Sequence, residues 1–466
     1  MPGSAVQVRS PLPFLGTLDD ILGAFAMAKN ARVISAEEAA ALVKPGDWLD
    51  FGAGFNQPDI FDRALAARRE SLSNVRIRNC LSMKPRAFLE QDPEGAHFAC
   101  YNWHFSGYDR RKHDQGLVNY LPCHLGEIPD YYRRFIPQTD IAVLRAAPMD
   151  AEGYFNLGPV NIWHPAIVET AKLLIIETLP DMPRVVGTHV RVHRSQVDYV
   201  IEGDDIPTPE LPNAEASEVD RAVAALIAEQ IEDGACLQVG IGGMPNAVTA
   251  LLQQSSVRDL GIHTEMLNEG LVELYLAGRI SGARKAFDQG LVTYSFALGS
   301  RRLYDTLRDN DDFIARPVDH TNMPDIIARN DRAVAINNTT QIDLQGQAAS
   351  ESDGHRHISG TGGQAQFVRG AYASKGGKSF ICLASTYERK GVRKSRIVLN
   401  LTPGNVVTTA RSDQMYVVTE YGIANLKGLA VAERARAIIG LAHPDYREAL
   451  SREARDHGLV PRHFLS

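Results

Sequence analysis

Short apolar segments alternate with longer helical patterns along most of the chain. The segments Ile141–Leu144 and Leu173–Ile176 are unbroken aliphatic runs, which are typical of strands buried on both faces of a mostly parallel sheet. Ala235–Val239 is a third predicted buried strand. Helical periodicity appears between such segments, for example in Ile60–Ala67 and in Val219–Ile227. This alternation of strand and helix predicts an α/β fold.

The first helix after the leader has both a start signal and a stop signal. Ser35 and Glu38 form a capping-box pattern just before the apolar run Ala39–Val43. Pro45 ends this helix, and Trp48–Phe51 predicts a short strand that runs into a glycine-rich loop.

The same order of elements occurs twice in the chain. In both places an alanine-rich helix is followed by a glycine turn, a short strand, a Gly-x-Gly loop and a proline. The glycines recur at a constant offset of 188 positions and the proline within one position of it: Gly46, Gly52, Gly54 and Pro58, against Gly234, Gly240, Gly242 and Pro245. We therefore predict two homologous, open, mostly parallel α/β domains.

A linker is predicted between the two copies. Three prolines (Pro207, Pro209 and Pro212) stand among acidic residues, a composition that is typical of a connecting segment. The expected domains are residues 1–206, which include a leader at 1–33, and residues 207–466.

Composition and charge narrow the class of protein. A chain of 466 residues is too long for one hydrophobic core, which agrees with two domains. The formal net charge is −7 with both signs interspersed, so nucleic-acid binding has no electrostatic support. No apolar run reaches the roughly 18 residues of a membrane span, and we expect no membrane association. The five cysteines lack CxxC or zinc-binding spacing, which favours reduced thiols and a cytoplasmic location.

One segment carries the candidate chemistry. After the predicted strand Ala235–Val239, the glycine-rich turn Gly240–Pro245 leads into a helix, and backbone N–H groups at such a turn can bind an oxyanion or a phosphate. A second short strand follows, with Glu265 at its far end, where open α/β sheets bind ligands. A carboxylate beside these donors can act as a nucleophile on a carbonyl that the donors polarise.

Five ordered motifs carry a family resemblance: QVGIGGMPNAV, GIHTEM, AINNTTQIDL, SGTGGQAQFVRGA and TEYGIANLKG. In this combination the chain resembles the acetyl-CoA hydrolase/transferase family of class I CoA-transferases, and among them the 4-hydroxybutyrate and butyryl-CoA:acetate CoA-transferases. The resemblance extends from about Ser35 to Ala442. It implies two homologous α/β domains with the active site at their interface.

The resemblance also implies roles for particular residues. Glu265 matches the catalytic nucleophile of the family, and Asn337 matches a substrate-orienting amide. The implied CoA-binding backbone comprises Gly240, Ile241, Gly242, Gly243, Met244, Pro245, Gly360, Gly362 and Gly363. We expect Glu265 to stay ionised near its ordinary pKa, because the ionised carboxylate is the nucleophile.

The function implied by the resemblance is transfer of CoA from a short-chain acyl-CoA to a carboxylate such as acetate, butyrate or 4-hydroxybutyrate. The reaction would follow ping-pong kinetics through a glutamyl-CoA thioester. CoA would then be a substrate and part of a covalent intermediate, with no permanently bound cofactor. The implied assembly is a homodimer or a homotetramer.

Three other functions stay open. Water could discharge the same thioester, which would make the protein an acyl-CoA hydrolase. An NAD-linked oxidoreductase is disfavoured because Gly240, Gly242 and Gly243 lack the third glycine of the dinucleotide fingerprint. A non-catalytic CoA-binding subunit is the third alternative, and the presence of Glu265 counts against it.

Several other residues have two interpretations. The loop Gly52–Gly54 lines the acyl pocket or is a structural turn, and the aromatic stretch Trp103–Tyr108 shapes that pocket or forms an exposed surface. The basic run Arg110–Lys112 is interpreted as a solvated face in preference to a phosphate clamp. His263 influences the field at Glu265 or is a packed core residue. His355 and His357 have no third ligand nearby in sequence, so we predict no metal site.

Overall fold

The computed structural model of the protein describes residue 29 and residues 31–461. The predicted leader therefore lies mostly outside the described residues. Its last residues form a strand, Arg32–Val33, at the edge of the first sheet.

The first half of the chain builds a large parallel sheet. Its strands, in chain order, are β1 (Arg32–Val33), β2 (Trp48–Ala53), β3 (Val75–Cys80), β4 (Phe98–Asn102), β5 (Val118–Tyr120), β6 (Ile141–Ala146), β7 (Tyr154–Asn156), β8 (Leu173–Thr178), β9 (Arg191–His193) and β10 (Tyr199–Ile201). Eight of them form one sheet in the order β1-β10-β8-β6-β2-β3-β4-β5, and all neighbours run parallel. The strands β7 and β9 form a separate antiparallel pair.

The second half builds a matching sheet and several small ones. Its strands are β11 (Cys236–Val239), β12 (Gly261–Leu267), β13 (Val292–Ala297), β14 (Phe313–Ala315), β15 (Ala333–Asn338), β16 (Gln341–Asp343), β17 (Ala348–Ala349), β18 (Ser352–Asp353), β19 (Arg356–His357), β20 (Lys378–Cys382), β21 (Thr386–Arg389), β22 (Val392–Ser395), β23 (Ile397–Val398), β24 (Tyr416–Thr419) and β25 (Gly422–Asn425). The large sheet has the order β14-β13-β12-β11-β15-β20-β24-β25, in which only the pair β24–β25 is antiparallel.

Helices connect these strands. In chain order they are α1 (Ala36–Ala41), α2 (Ile60–Ala67), α3 (Ala87–Glu90), α4 (Gly107–Asp114), α5 (Ile128–Arg134), α6 (His164–Thr170), α7 (Glu218–Ala228), α8 (Gly243–Gln254), α9 (Glu269–Leu276), α10 (Arg301–Leu307), α11 (Val318–Thr321), α12 (Pro324–Ile327), α13 (Gln364–Ala373), α14 (Val431–Gly440) and α15 (Pro444–Asp456). None of the helices in the described part of the chain is both long and apolar enough to cross a membrane.

The two large sheets repeat one topology, which confirms the predicted α/β fold class. The series β5-β4-β3-β2-β6-β8-β10 in the first half has its counterpart in β14-β13-β12-β11-β15-β20-β24 in the second. In each half the first long strand, β2 or β11, lies near the middle of the sheet and is followed by its neighbour, β3 or β12. The boundary between residues 206 and 207 stays a prediction.

Local sequence signals account for where the elements begin. Ser35 caps α1: its Oγ accepts from the Glu38 N–H at 3.1 Å, and the Glu38 carboxylate accepts from the Ser35 N–H at 2.8 Å. Gly46 and Gly234, just before β2 and β11, have φ of +86° and +76°, a left-handed conformation that glycine adopts without steric cost. The short strand β23 belongs to a small three-stranded sheet outside the large one.

The two halves pack against each other through a shared hydrophobic core. The rings of Phe55 and Tyr304 meet edge to face with centroids 5.6 Å apart. Val160 forms an isolated antiparallel bridge to Phe296. This contact brings the carboxyl ends of β3 and β4 opposite those of β11, β12 and β15.

Candidate active site

A cavity of about 460 Å³ lies between the two halves, at the carboxyl ends of strands from both sheets. The first half contributes Leu81 and Met83, which follow β3, and His104 and Phe105, which follow β4. The second half contributes the ends of β11, β12 and β15 and the loop before α13. Clefts of this kind are where open α/β proteins bind their ligands.

Glu265 extends into this cavity from β12. It is the fifth residue of the strand and is half-buried. Asn322, which is fully buried at the end of α11, donates a hydrogen bond from Nδ2 to Glu265 Oε2. Gly363 lies so close that a Cβ at this position would overlap both Glu265 Oε2 and Asn322 Nδ2. The carboxylate is therefore held between an amide donor and a side-chain-free stretch of backbone.

The ionisation of Glu265 differs from the expectation. Burial raises the pKa of its carboxyl to about 7, and the hydrogen bond from Asn322 opposes part of this rise. The expectation that Glu265 stays near its ordinary pKa is therefore wrong. A carboxyl with a pKa near neutrality is about half protonated at pH 7.

Several backbone N–H groups of the residues that line the cavity have no hydrogen-bond acceptor in the described part of the chain. The N–H groups of Ile241, Gly362 and Gly363 donate to no acceptor within residues 29 and 31–461. All three residues line the cavity. The Gly240 N–H is not available in the same way, because it donates to the Ile336 carbonyl at 3.0 Å. Free backbone donors of this kind can stabilise negative charge on an oxygen atom in a cavity.

The loop that contains Gly362 and Gly363 is held by the first half of the chain. The Leu125 N–H donates to the Gly362 carbonyl at 3.1 Å, and the Thr361 N–H donates to Tyr120 Oη at 2.9 Å. At Gly360 an added Cβ would lie 2.7 Å from the Nδ1 atom of His104, so only glycine permits this approach. The position of the donors near Glu265 therefore depends on both halves.

Asn337 lies in the cavity wall at the end of β15, but its amide already has a partner. Its Nδ2 donates to Gln238 Oε1 at 3.0 Å, and Gln238 Nε2 donates back to Asn337 Oδ1 at 3.3 Å. Gln238 is on the neighbouring strand β11 and also lines the cavity. The two amides act as a pair, and each retains one N–H for a ligand.

Comparison with known proteins identifies the family. The acetyl-CoA hydrolase/transferase N-terminal domain matches residues 28–212, and the C-terminal domain of the same family matches residues 299–454. The chain is 44% identical to the butyryl-CoA:acetate CoA-transferase of Anaerostipes caccae, over 91% of this chain and 96% of that protein. It is 36% identical to the 4-hydroxybutyrate coenzyme A transferase of Clostridium kluyveri, over 91% of this chain and 97% of that protein. The chain belongs to the acetyl-CoA hydrolase/transferase family.

A solved structure has the same fold. The crystal structure of RipA from Yersinia pestis superimposes with a TM-score of 0.85 at 37% identity, covering 92% of this chain and 98% of RipA. The resemblance inferred from the five motifs is thereby confirmed, and so is the two-domain α/β architecture of an acetyl-CoA hydrolase/transferase.

The cavity brings together most of the predicted site residues of this acetyl-CoA hydrolase/transferase. Those in its wall are Glu265, Asn337, Gly240, Ile241, Gly360, Gly362 and Gly363. The other four, Gly242, Gly243, Met244 and Pro245, are not among the lining residues. Gly243 lies against the segment before α7, where a Cβ would come within 2.6 Å of the Glu215 carbonyl, and Met244 is buried. Their roles in binding CoA stay predictions.

Two residues at the site were not singled out by sequence reasoning. Asn322 lies 57 positions from Glu265 in the sequence, at the end of a short helix, and no motif marks it. Gln238 is inside a strand that was predicted to be buried, and its polarity and its place at the start of the motif QVGIGGMPNAV were the available signals. Both were missed because their importance depends on contacts with distant parts of the chain.

The structure decides between the two interpretations for several residues near the cavity. His104 and Phe105 line the cavity, whereas Gly52–Gly54 does not, and packs instead on His164 and Leu298. His263 is a packed core residue: its Nε2 lies 2.8 Å from the Thr321 carbonyl, and burial lowers its pKa to about 3.

Proposed function

We propose that this member of the family is a CoA-transferase that moves CoA between a short-chain acyl-CoA and a carboxylate acceptor, with Glu265 as the nucleophile. The observation that carries the proposal is the placement of the Glu265 carboxylate in the interdomain cavity, against Asn322 and Gly363. The two relatives named above are called CoA-transferases and not hydrolases, which supports transfer as the main reaction.

The proposed reaction has two half-reactions. The Glu265 carboxylate attacks the thioester carbonyl, and the CoA thiolate leaves, giving a mixed anhydride. The thiolate then attacks the glutamyl carbonyl, which releases the first carboxylate and leaves a glutamyl-CoA thioester. A second carboxylate reverses these steps and leaves as the new acyl-CoA. No net proton is transferred, and the energy of the thioester is retained throughout.

The surroundings of Glu265 fit the needs of these steps. Each tetrahedral intermediate places negative charge on one oxygen, and the free N–H groups of Ile241, Gly362 and Gly363 are the available donors. Loss of one such donor costs about 3–4 kcal/mol of transition-state stabilisation in other acyl-transfer enzymes. The apolar side chains of Leu81 and Phe105 suit a short alkyl group such as those of acetate and butyrate.

Four further parts of the assignment stay predictions. They are the identity of the acyl chain, the homodimeric or homotetrameric state, the cytoplasmic location, and the contribution of Gly240–Pro245 to CoA binding. A hydrolase would use the same glutamate, with water as the final acceptor, so the test must separate the two reactions.

The test is to incubate the protein with acetyl-CoA or butyryl-CoA without an acceptor and to measure the intact mass. We expect a CoA-sized adduct that acetate discharges rapidly and water slowly. Tandem mass spectrometry must then locate it, because the tryptic peptide of residues 259–279 contains Glu265, Glu269 and Glu273. The adduct should be absent in Glu265→Ala.

Glu269→Gln is the matched control. Glu269 accepts from Ser300 N–H at 3.1 Å and from Ser300 Oγ at 2.8 Å, contacts that an amide oxygen can partly keep. This variant should form the adduct normally. If the wild-type protein forms no adduct at thioester concentrations that bind, the assignment of Glu265 as the nucleophile is contradicted. An adduct that water discharges as fast as acetate would make the protein a hydrolase.

A further inference from the structure

Arg110 stands in the wall of the cavity, in the first turn of α4. Its Nε donates to the Ile358 carbonyl at 2.6 Å, which ties it to the loop of the second half that continues to Gly363. This hydrogen bond restrains the orientation of the guanidinium plane from its Nε side. The two terminal nitrogens, Nη1 and Nη2, have no hydrogen-bond acceptor among the described residues.

Arg110 differs in this respect from the basic residues around it. Lys112 is paired with Glu90 at 3.1 Å, and Arg111 is exposed to solvent. Arg356 is held by Asp114 through two hydrogen bonds of 2.8 and 2.6 Å. The interpretation of the whole run as a solvated face is therefore wrong for Arg110, which lines the cavity and forms no ion pair among the described residues. The Asp114 carboxylate is near enough to favour the charged form of Arg110, but its oxygens accept hydrogen bonds from Arg356.

The charges in the cavity wall are few. Among its described lining residues, Glu265 is the one acidic side chain and Arg110 the one lysine or arginine. His104 is neutral, because burial and then the charges of His357 and Arg110 lower its pKa to about 4. The pKa of Glu265 is set by burial and by Asn322, without a contribution from Arg110. Arg110 is bonded to Ile358, whereas Glu265 lies against Gly363, five residues further along the same loop.

We propose that Arg110 binds an oxyanion that the substrate carries at a distance from the thioester, either a phosphate of CoA or the far carboxylate of a dicarboxylic substrate. This inference rests on the proposed transferase function. A guanidinium held at Nε presents two parallel N–H donors, a geometry that matches carboxylate and phosphate oxygens. An unpaired cation in a partly desolvated cavity also attracts an anion more strongly than one in water.

The test compares Arg110→Gln, Arg110→Lys and the control Arg111→Gln on two matched pairs of substrates. The first pair is acetyl-CoA and S-acetylpantetheine, which has the thioester without the phosphates. The second pair is butyrate and succinate as acceptors, which have the same chain length and differ in the far carboxylate. The quantity measured is kcat/KM for each substrate.

We expect Arg110→Gln to lose about 10- to 100-fold in kcat/KM on substrates that carry the recognised anion, the range for a hydrogen bond to a charged group. If the anion is a CoA phosphate, the loss appears with acetyl-CoA and disappears with S-acetylpantetheine. If it is the far carboxylate, the loss appears with succinate and not with butyrate. Arg110→Lys should recover part of the loss, because it keeps the charge but not the planar fork.

An equal loss on every substrate, or no loss on any, would overturn the inference. Recovery by Arg110→Lys on the anionic substrates alone would separate anion binding from misfolding. The inference and the proposed function fail in different ways. If the wild-type protein forms no adduct at Glu265, the proposed function is contradicted. If the adduct forms normally but Arg110→Gln has the same kcat/KM as the wild type on every substrate, the inference alone is contradicted.

Discussion

At the scale of single residues, the central feature is a carboxyl group with a pKa near neutrality. Burial raises the pKa of Glu265 to about 7, and Asn322 supplies the hydrogen bond that favours the ionised form. The same desolvation that disfavours the charge also strengthens every hydrogen bond to the reacting oxygens. Asn322 thus favours the ionised form of the proposed nucleophile against the effect of burial.

Replacement of Asn322 by alanine should shift the pH dependence of adduct formation. The rate for the wild-type protein should rise with pH through about 7, because the carboxylate is the reactive form. Asn322→Ala removes a donor to that carboxylate, so the pKa rises further and the midpoint moves up by about one pH unit. Single-turnover adduct formation between pH 5.5 and 9 measures both midpoints.

Asn310→Ala is a suitable control for Asn322→Ala. Asn310 donates from Nδ2 to the Thr306 carbonyl at 2.9 Å, after α10 and away from the cavity. It should leave the midpoint unchanged. A lower plateau in Asn322→Ala with the same midpoint would mean that Asn322 orients Glu265 without affecting its ionisation.

At the scale of elements, two glycine-containing loops form part of the cavity wall near Glu265, the proposed nucleophile. The loop after β11 and the loop before α13 both bring backbone N–H groups to the cavity. Gly363 in the second loop has φ of −98°, so its backbone conformation is open to any residue. The requirement for glycine there is one of space, since a side chain would occupy the position of the Glu265 carboxylate.

Gly363→Ala should therefore impair chemistry more than folding. The added methyl group overlaps Glu265 Oε2, and the flexible end of the glutamate is the part that can move. A displacement of about 1 Å of a reacting group can cost about 100-fold in rate, so adduct formation should fall by that order. Thermal denaturation should show a much smaller change.

Gly440→Ala is the matched control, because this glycine has no atom within 4 Å of an added Cβ and ends helix α14. It should keep full activity and gain slightly in stability. Equal activity of both variants would show that Gly363 does not constrain Glu265.

At the scale of the whole molecule, duplication has produced two sheets with one candidate site. In the first copy, Arg145 on β6 and Arg86 form buried ion pairs with Asp59 at 2.9 and 2.8 Å. These paired charges occupy the region that follows Gly52–Gly54. In the second copy the corresponding strand β15 carries Asn337, which lines the cavity.

The site also depends on contacts between the copies. Tyr120, on the edge strand β5, accepts from the Thr361 N–H at 2.9 Å and donates to Glu351 at 3.3 Å. Glu351 is buried and also accepts from Thr408 Oγ1 at 2.9 Å. Tyr120 thereby joins the first sheet to the loop that surrounds Glu265.

Tyr120→Phe should slow adduct formation by about 10- to 100-fold, because it removes the hydrogen bond from Thr361 and also a hydrogen bond to the charged Glu351. The KM for acyl-CoA should change less than kcat, because the affected loop positions the reacting atoms. Tyr131→Phe, which removes a 3.3 Å contact with Glu127 inside the first half, should have no such effect. Parallel losses in both variants would indicate a general loss of stability and contradict the positioning role.

Local sequence patterns were sufficient to predict a large part of the fold of this protein. The capping box at Ser35, the helix Ile60–Ala67, the buried strands and the repeated glycine spacing each depend on interactions within a few residues or on side-chain type. They predicted the α/β class and the duplication, and the five ordered motifs together indicated the family. These features can be predicted from a sequence because helix caps, strand burial and glycine turns have short-range physical causes.

Tertiary structure decided which side chains surround Glu265, the proposed nucleophile. Asn322 reaches Glu265 only because α11 packs below β12, and Arg110 faces the cavity only because α4 meets the loop at Ile358. The pKa of Glu265 near 7 is likewise a consequence of burial by both halves. Desolvation and contacts across the interface depend on how segments that are distant in the sequence pack against each other. The distances between such segments cannot be predicted from short stretches of sequence.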